Sequence, residues 1–125
     1  MPFTIRMGFP EMESYWRDIC ARESNGEIDK GEVKTFKKLL KTLHHLSNDP
    51  RHPGLRSHEI VPLSKIAGFK VWESYLENHA PAAGRIFWAY GPGKNEITIL
   101  GVEPHPEDRK KAGYAMVKLS ELPPL

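Results

Sequence analysis

The chain predicts one α+β domain over residues 1–125, with two N-terminal helices packed on one face of a small, mainly antiparallel sheet of four to five strands. Three observations carry that expectation. Apolar residues recur at helical spacing through the first part of the chain. Short β-branched and aromatic runs, separated by Gly, Pro and Asn, fill the second part. A length of 125 residues suits a single core without metal or disulfide staples.

The elements follow in order. Phe3, Ile5 and Met7 alternate with Thr4 and Arg6, a short strand that Gly8 ends. Pro10 sits at a first helical position with Glu11 and Glu13 behind it, and Met12, Tyr15, Trp16 and Ile19 keep helical spacing. This predicts a helix over about residues 10–22, closed by a turn at Asn25-Gly26. Asp29 caps a second helix over about 30–47, with Glu32 as capping-box partner. Val33, Phe36, Leu39, Leu40, Leu43 and Leu46 form its apolar stripe, and Lys34, Lys37, Lys38 and Lys41 a solvated face. Further strands are expected over 58–63, 69–77, 85–90 and 96–102. Gly91-Pro92-Gly93-Lys94 forms a hairpin between the last two, and lacks the spacing of a phosphate loop. A short helix is expected over 106–112, followed by an extended tail. Helices on one face leave the other face open, and function is expected there.

Composition narrows the classes. Hydrophobic residues make up 39% and charged residues 27%, a globular rather than a disordered balance. The single cysteine, Cys20, can build neither an internal disulfide nor a zinc site, which fits a reducing compartment. No basic stretch followed by an apolar run opens the chain, and no window is long and apolar enough for a membrane span. The expected location is the cytoplasm, with no membrane partner. A net charge of +2 permits contact with nucleic acid without arguing for it.

Five segments then bear on family. They are Pro53-Gly54-Leu55-Arg56-Ser57-His58, Val71-Trp72-Glu73-Ser74-Tyr75, Arg85-Ile86-Phe87-Trp88-Ala89-Tyr90, Ile97-Thr98-Ile99-Leu100-Gly101-Val102, and the His105 that follows. In this order and spacing, over about residues 3–110, the chain resembles the RelE/ParE toxin superfamily of type II toxin-antitoxin systems. In that family a Gly-Leu stretch enters the sheet after the long helix, a strand opens on arginine, and a later strand ends near a basic residue or histidine. The stretch 77–84 and the tail after His105 are longer here than the family pattern. Some members cut messenger RNA on the ribosome; others inhibit DNA gyrase and have no nuclease site, so fold and function separate. The resemblance implies a RelE-like toxin that acts as a ribosome-dependent, metal-independent endoribonuclease without cofactor. The alternative is a non-catalytic binding module such as a gyrase inhibitor. The implied partners are a cognate antitoxin and messenger RNA on the ribosome.

RNA cleavage by 2′-OH attack needs a base, an acid and cations to hold the phosphate. Arg85 opens a strand on the face shared by Phe87 and Ala89, opposite Ile86, Trp88 and Tyr90. It matches the family's strand-initial arginine and would grip the phosphate; the competing reading is an ion pair to Glu73 or Glu103. His105, between Pro104 and Pro106, resembles the catalytic basic residue of nuclease members and is the expected acid. Glu73, His58 and His52 are candidates for the base. Tyr75, on the same strand face as Glu73, would stack on a nucleobase or pack inside, and Arg51 and Arg56 would contact phosphates. His44 and His45, on the long helix, have a structural or solvent role. Tyr114 lies beyond the position of a family aromatic, and His79 receives no assignment.

Overall fold

A computed structural model describes residues 2–76, 84–103 and 119–124. Its elements are β1 (Thr4–Met7), α1 (Glu11–Ser24), α2 (Lys30–Asn48), a single 3-10 turn (Pro53–Leu55), β2 (His58–Glu59), α3 (Val61–Ala67), β3 (Trp72–Tyr75), β4 (Arg85–Tyr90) and β5 (Glu96–Glu103). The class is α+β. The five strands make one sheet in the order β1-β5-β4-β3-β2. β1 runs parallel to β5 and the other neighbours are antiparallel, so the sheet is mixed.

Local chemistry accounts for the long helix. The Asp29 carboxylate accepts from the Glu32 backbone N–H at 2.8 Å, as a cap should. The Glu32 side chain does not complete the box; it pairs with Arg22, which also holds Asp18, and so ties α1 to α2. Trp16 stacks on Phe36 across the same helix pair. Leu39, Leu43 and Leu46 are buried, but Leu40 is exposed and Thr42 takes a core place instead. Thr42 remains satisfied because its hydroxyl donates to the Lys38 carbonyl.

The N-terminus of α1 is capped from a distance. Pro10 makes no side-chain cap, and the Met12 N–H donates instead to the Ser120 hydroxyl at 2.7 Å. Residues 119–124 therefore lie against the start of α1. Ser120 N–H donates to the Leu100 carbonyl, and Phe9 and Glu121 exchange backbone hydrogen bonds. Gly8 lies under this crossing. A Cβ there would sit 2.5 Å from the Ser120 Cβ and 2.8 Å from the Ile99 carbonyl oxygen, so only glycine permits the approach.

Both faces of the sheet are covered. Met12, Leu39, Leu43 and Leu46 of α1 and α2 pack with Ile86, Trp88, Ile97 and Ile99 on one face. Ile60 and Leu63, with Leu119 and Leu122, pack with Phe87, Ala89, Leu100 and Val71 on the other. This overturns the expectation of an open face. The cause is α3, which the sequence reading placed in a strand over 58–63. Only His58 and Glu59 are strand. Pro62 would remove a ladder hydrogen bond from a strand, yet in the first turn of a helix its missing N–H is harmless. Ser64 and Gly68 at φ 84° then end the element, with the Ser64 hydroxyl accepting from Val71 N–H.

A bulge between Phe87 and Trp88 shifts the β4–β5 register, pairing Phe87 with Gly101 but Trp88 with Ile99. Leu100 is the extra residue. The shift reverses the alternation of β5, so Val102 joins Ile97 and Ile99 on the helix face while Leu100 serves the other core. The expected short helix over 106–112, and His79, His105 and Tyr114, lie outside the described residues.

Candidate functional site

Strand register brings four of the expected site residues together. His58 pairs opposite Glu73, and Tyr75 opposite Arg85. Directly opposed residues share a face, and residues two apart on one strand share it too. His58, Glu73, Tyr75, Arg85 and Phe87 therefore share one face of the sheet, toward its β2 edge.

The Glu73 carboxylate is the centre of this patch. Its side chain is 1% exposed. One oxygen lies 3.2 Å from His58 Nε2, and the other accepts from Arg85 at 3.0 Å. The Arg85 side chain is 15% exposed and its guanidinium carbon lies 5.9 Å from the centre of the Phe87 ring. His58 is different: its side chain is 47% exposed. Its Nδ1 meets the Arg56 carbonyl at 3.0 Å. Carbonyls and carboxylates only accept, so each contact is a hydrogen bond when the ring nitrogen that makes it carries the proton. Tyr75 lies edge-on to this ring at 6.2 Å.

Chemically, the cluster presents one accessible imidazole whose orientation is set by a buried carboxylate, itself fixed by a guanidinium. Such a carboxylate can position its histidine. Of the two sequence readings of Arg85, the ion pair to Glu73 is the one observed.

His52 belongs elsewhere. Its Nδ1 accepts from the Gly54 N–H at 3.0 Å, and its ring lies 4.4 Å from that of His45 on α2. Burial, and then the charges of His52, Lys41 and His44, push the His45 imidazole below its ordinary value. Arg51 and Arg56 also leave the Glu73 cluster. With His52 they line a cleft of about 320 Å³ whose other wall is Trp72, Trp88 and Tyr90.

That aromatic wall was not among the sequence candidates. Its signal was present in the alternation, since Trp88 and Tyr90 share a face of β4 and Trp72 is the register partner of Trp88. Trp72 and Trp88 are stacked, with ring centres 5.8 Å apart, and Tyr90 stands edge-on to both. Trp88 Nε1 donates to the Ser74 hydroxyl, which meets that of Ser57, which donates to the Pro50 carbonyl. The order of donors is thereby fixed: Ser57 gives its proton to Pro50, so Ser74 gives its own to Ser57. Trp72 Nε1, by contrast, is buried with no hydrogen-bond partner among the described residues. Burial raises the Tyr90 phenol above its ordinary value, an effect that nearby Arg51 opposes.

Among the described residues no group of three or more His, Cys, Asp or Glu side chains converges on a metal-sized point, and no helix is long and apolar enough to cross a membrane. Fold and site thus define an α+β protein with a mixed five-stranded sheet that carries a His58–Glu73–Arg85 cluster at one edge. No protein-family model, curated protein or solved structure matches the chain.

Proposed function

We propose that the chain is a toxin of the RelE/ParE type that cuts messenger RNA on the ribosome by metal-independent transphosphorylation. The observation that carries this reading is the half-exposed His58 imidazole held on the buried Glu73 carboxylate, with Arg85 on the same carboxylate. The element order adds support: two helices after a first strand, a Gly-Leu turn leading into the sheet, and a strand that opens on Arg85. In the reaction the 2′-oxygen bonds to phosphorus and the bond from phosphorus to the 5′-oxygen breaks. The products are a 2′,3′-cyclic phosphate and a 5′-hydroxyl. One proton leaves the 2′-hydroxyl and another reaches the departing 5′-oxygen. His58, held on Glu73, is proposed as the base for the first transfer, and His105 as the acid for the second. Arg85 adds positive charge beside the phosphate, and Glu73 positions both partners. A cognate antitoxin would cover the exposed edge around His58 and Tyr75.

The test is induction in cells followed by mapping of transcript ends. Cuts within ribosome A-site codons are expected from the native chain. His58→Ala, at a half-exposed position, should fold normally and cut about 100-fold more slowly. Absence of new ends with the native chain refutes the nuclease reading; undiminished cutting by the variant refutes the role of His58. One observation favours a non-catalytic second reading, such as gyrase inhibition: both Glu73 oxygens are engaged, one by His58 and one by Arg85, as in a structural lock. DNA-damage signalling without new transcript ends would select it.

A further inference from the structure

We infer that the cleft between residues 50–57 and the aromatic wall is a binding site for one nucleotide unit, a base with its phosphate, on the helix-packed face of the sheet. This goes beyond the cleavage reading and does not need it. Trp72 and Trp88 pack with the α1–α2 core, whereas His58, Glu73 and Arg85 share the opposite face.

Size, aromatic lining and charge point to the same occupant. At about 320 Å³ the cleft lies at the small end of the range of ligand pockets, ~300–1,000 Å³. The aromatic wall is rigid, because Trp88 is anchored through Ser74 and Ser57 to the Pro50 carbonyl and Trp72 stacks upon it. A planar base finds an aromatic platform there whatever its identity. Tyr90 is 45% exposed and stands edge-on at the rim. Arg51 and Arg56 line the facing wall, where a phosphate can be met by planar guanidinium donors. The Trp72 indole N–H is buried without an acceptor among the described residues, so the ring meets a ligand through its aromatic surface. A purely apolar ligand would leave the positive charge of the arginine wall unused. A bare anion would leave the aromatic wall unused.

The free mononucleotide and the nucleotide within a single strand share this chemistry, and one titration separates them. The indole N–H resonances of the full-length protein are followed by proton–nitrogen NMR, with Trp72 assigned from Trp72→Phe. The probes are adenosine 5′-monophosphate, adenosine, inorganic phosphate and a short adenylate oligoribonucleotide. The mononucleotide is expected to shift the Trp72 signal saturably and to leave that of Trp16, on α1, in place. Adenosine and phosphate should each bind about ten-fold more weakly than the mononucleotide, and Arg51→Ala or Arg56→Ala should weaken it by a similar factor. An oligonucleotide that binds more tightly than the mononucleotide assigns the site to a strand; equal affinity assigns it to a free nucleotide. The inference is overturned by three results: no saturable shift with either ligand, phosphate binding as tightly as the mononucleotide, or affinity unchanged in both arginine variants. Binding without transcript cutting would refute only the cleavage reading, and cutting without binding only this one.

Discussion

A single carboxylate organises the candidate site. Glu73 is buried against His58 and Arg85, so removing it takes the paired carboxylate from a guanidinium that is only 15% exposed. Glu73→Ala is expected to destabilise the protein by about 3 kcal/mol in urea unfolding. Glu73→Gln should recover part of that loss and no more. An amide offers one oxygen, and its NH₂ must then face a second donor. His58→Ala should cost under about 1 kcal/mol, since its side chain is 47% exposed. Stability thus separates the positioning residue from the accessible one. His45 supplies a different test. Its imidazole is pushed below the ordinary value first by burial and then by the charges of His52, Lys41 and His44. The folded state therefore binds fewer protons than the unfolded one as acidity rises. The stabilisation is complete above the unfolded value of about 6.5 and is lost as pH falls through the lowered folded value. His45→Gln should reduce the drop in Tm between about pH 7.5 and about pH 5.5 relative to the native chain.

At the scale of elements, the short pieces determine what the long ones expose. α3 and residues 119–124 cover the sheet face that two helices alone would have left open. The same tail caps α1 through Ser120, at a terminus where Pro10 offers no side-chain acceptor. Ser120→Ala is expected to lower stability by about 1 kcal/mol, the usual worth of a helix cap. Deleting residues 119–125 should lower it by about 3 kcal/mol, because Leu119 and Leu122 leave their core as well. Thermal unfolding of the two variants checks the order. Equal effects would mean that the tail acts only as a cap.

Across the whole molecule, the sheet separates two chemistries. One face carries the His58–Glu73–Arg85 cluster, and the other carries a cleft of stacked tryptophans and arginines. Much of this was legible in the chain. Helical spacing located α1 and α2, Asp29 marked the start of α2, and alternation assigned Arg85 and Phe87 to one face of β4 and Ile86 and Trp88 to the other. The Glu73–Arg85 pair followed from the same alternation, as one of two readings. These features depend on neighbours within a few residues, where propensity and periodicity act directly. What lay beyond reach depends on partners far along the chain. The stretch 58–63 left the strand after its second residue and turned helical at Val61, with Ile60 and Leu63 in the core. Leu100 bulged to keep both cores filled, and Ser120 capped a helix 108 positions away. His52 and His58, close in sequence around the same turn, were sent to different clusters. Local pattern determined which residues were eligible for each face; burial of distant apolar surface, which no local window contains, decided which of them met.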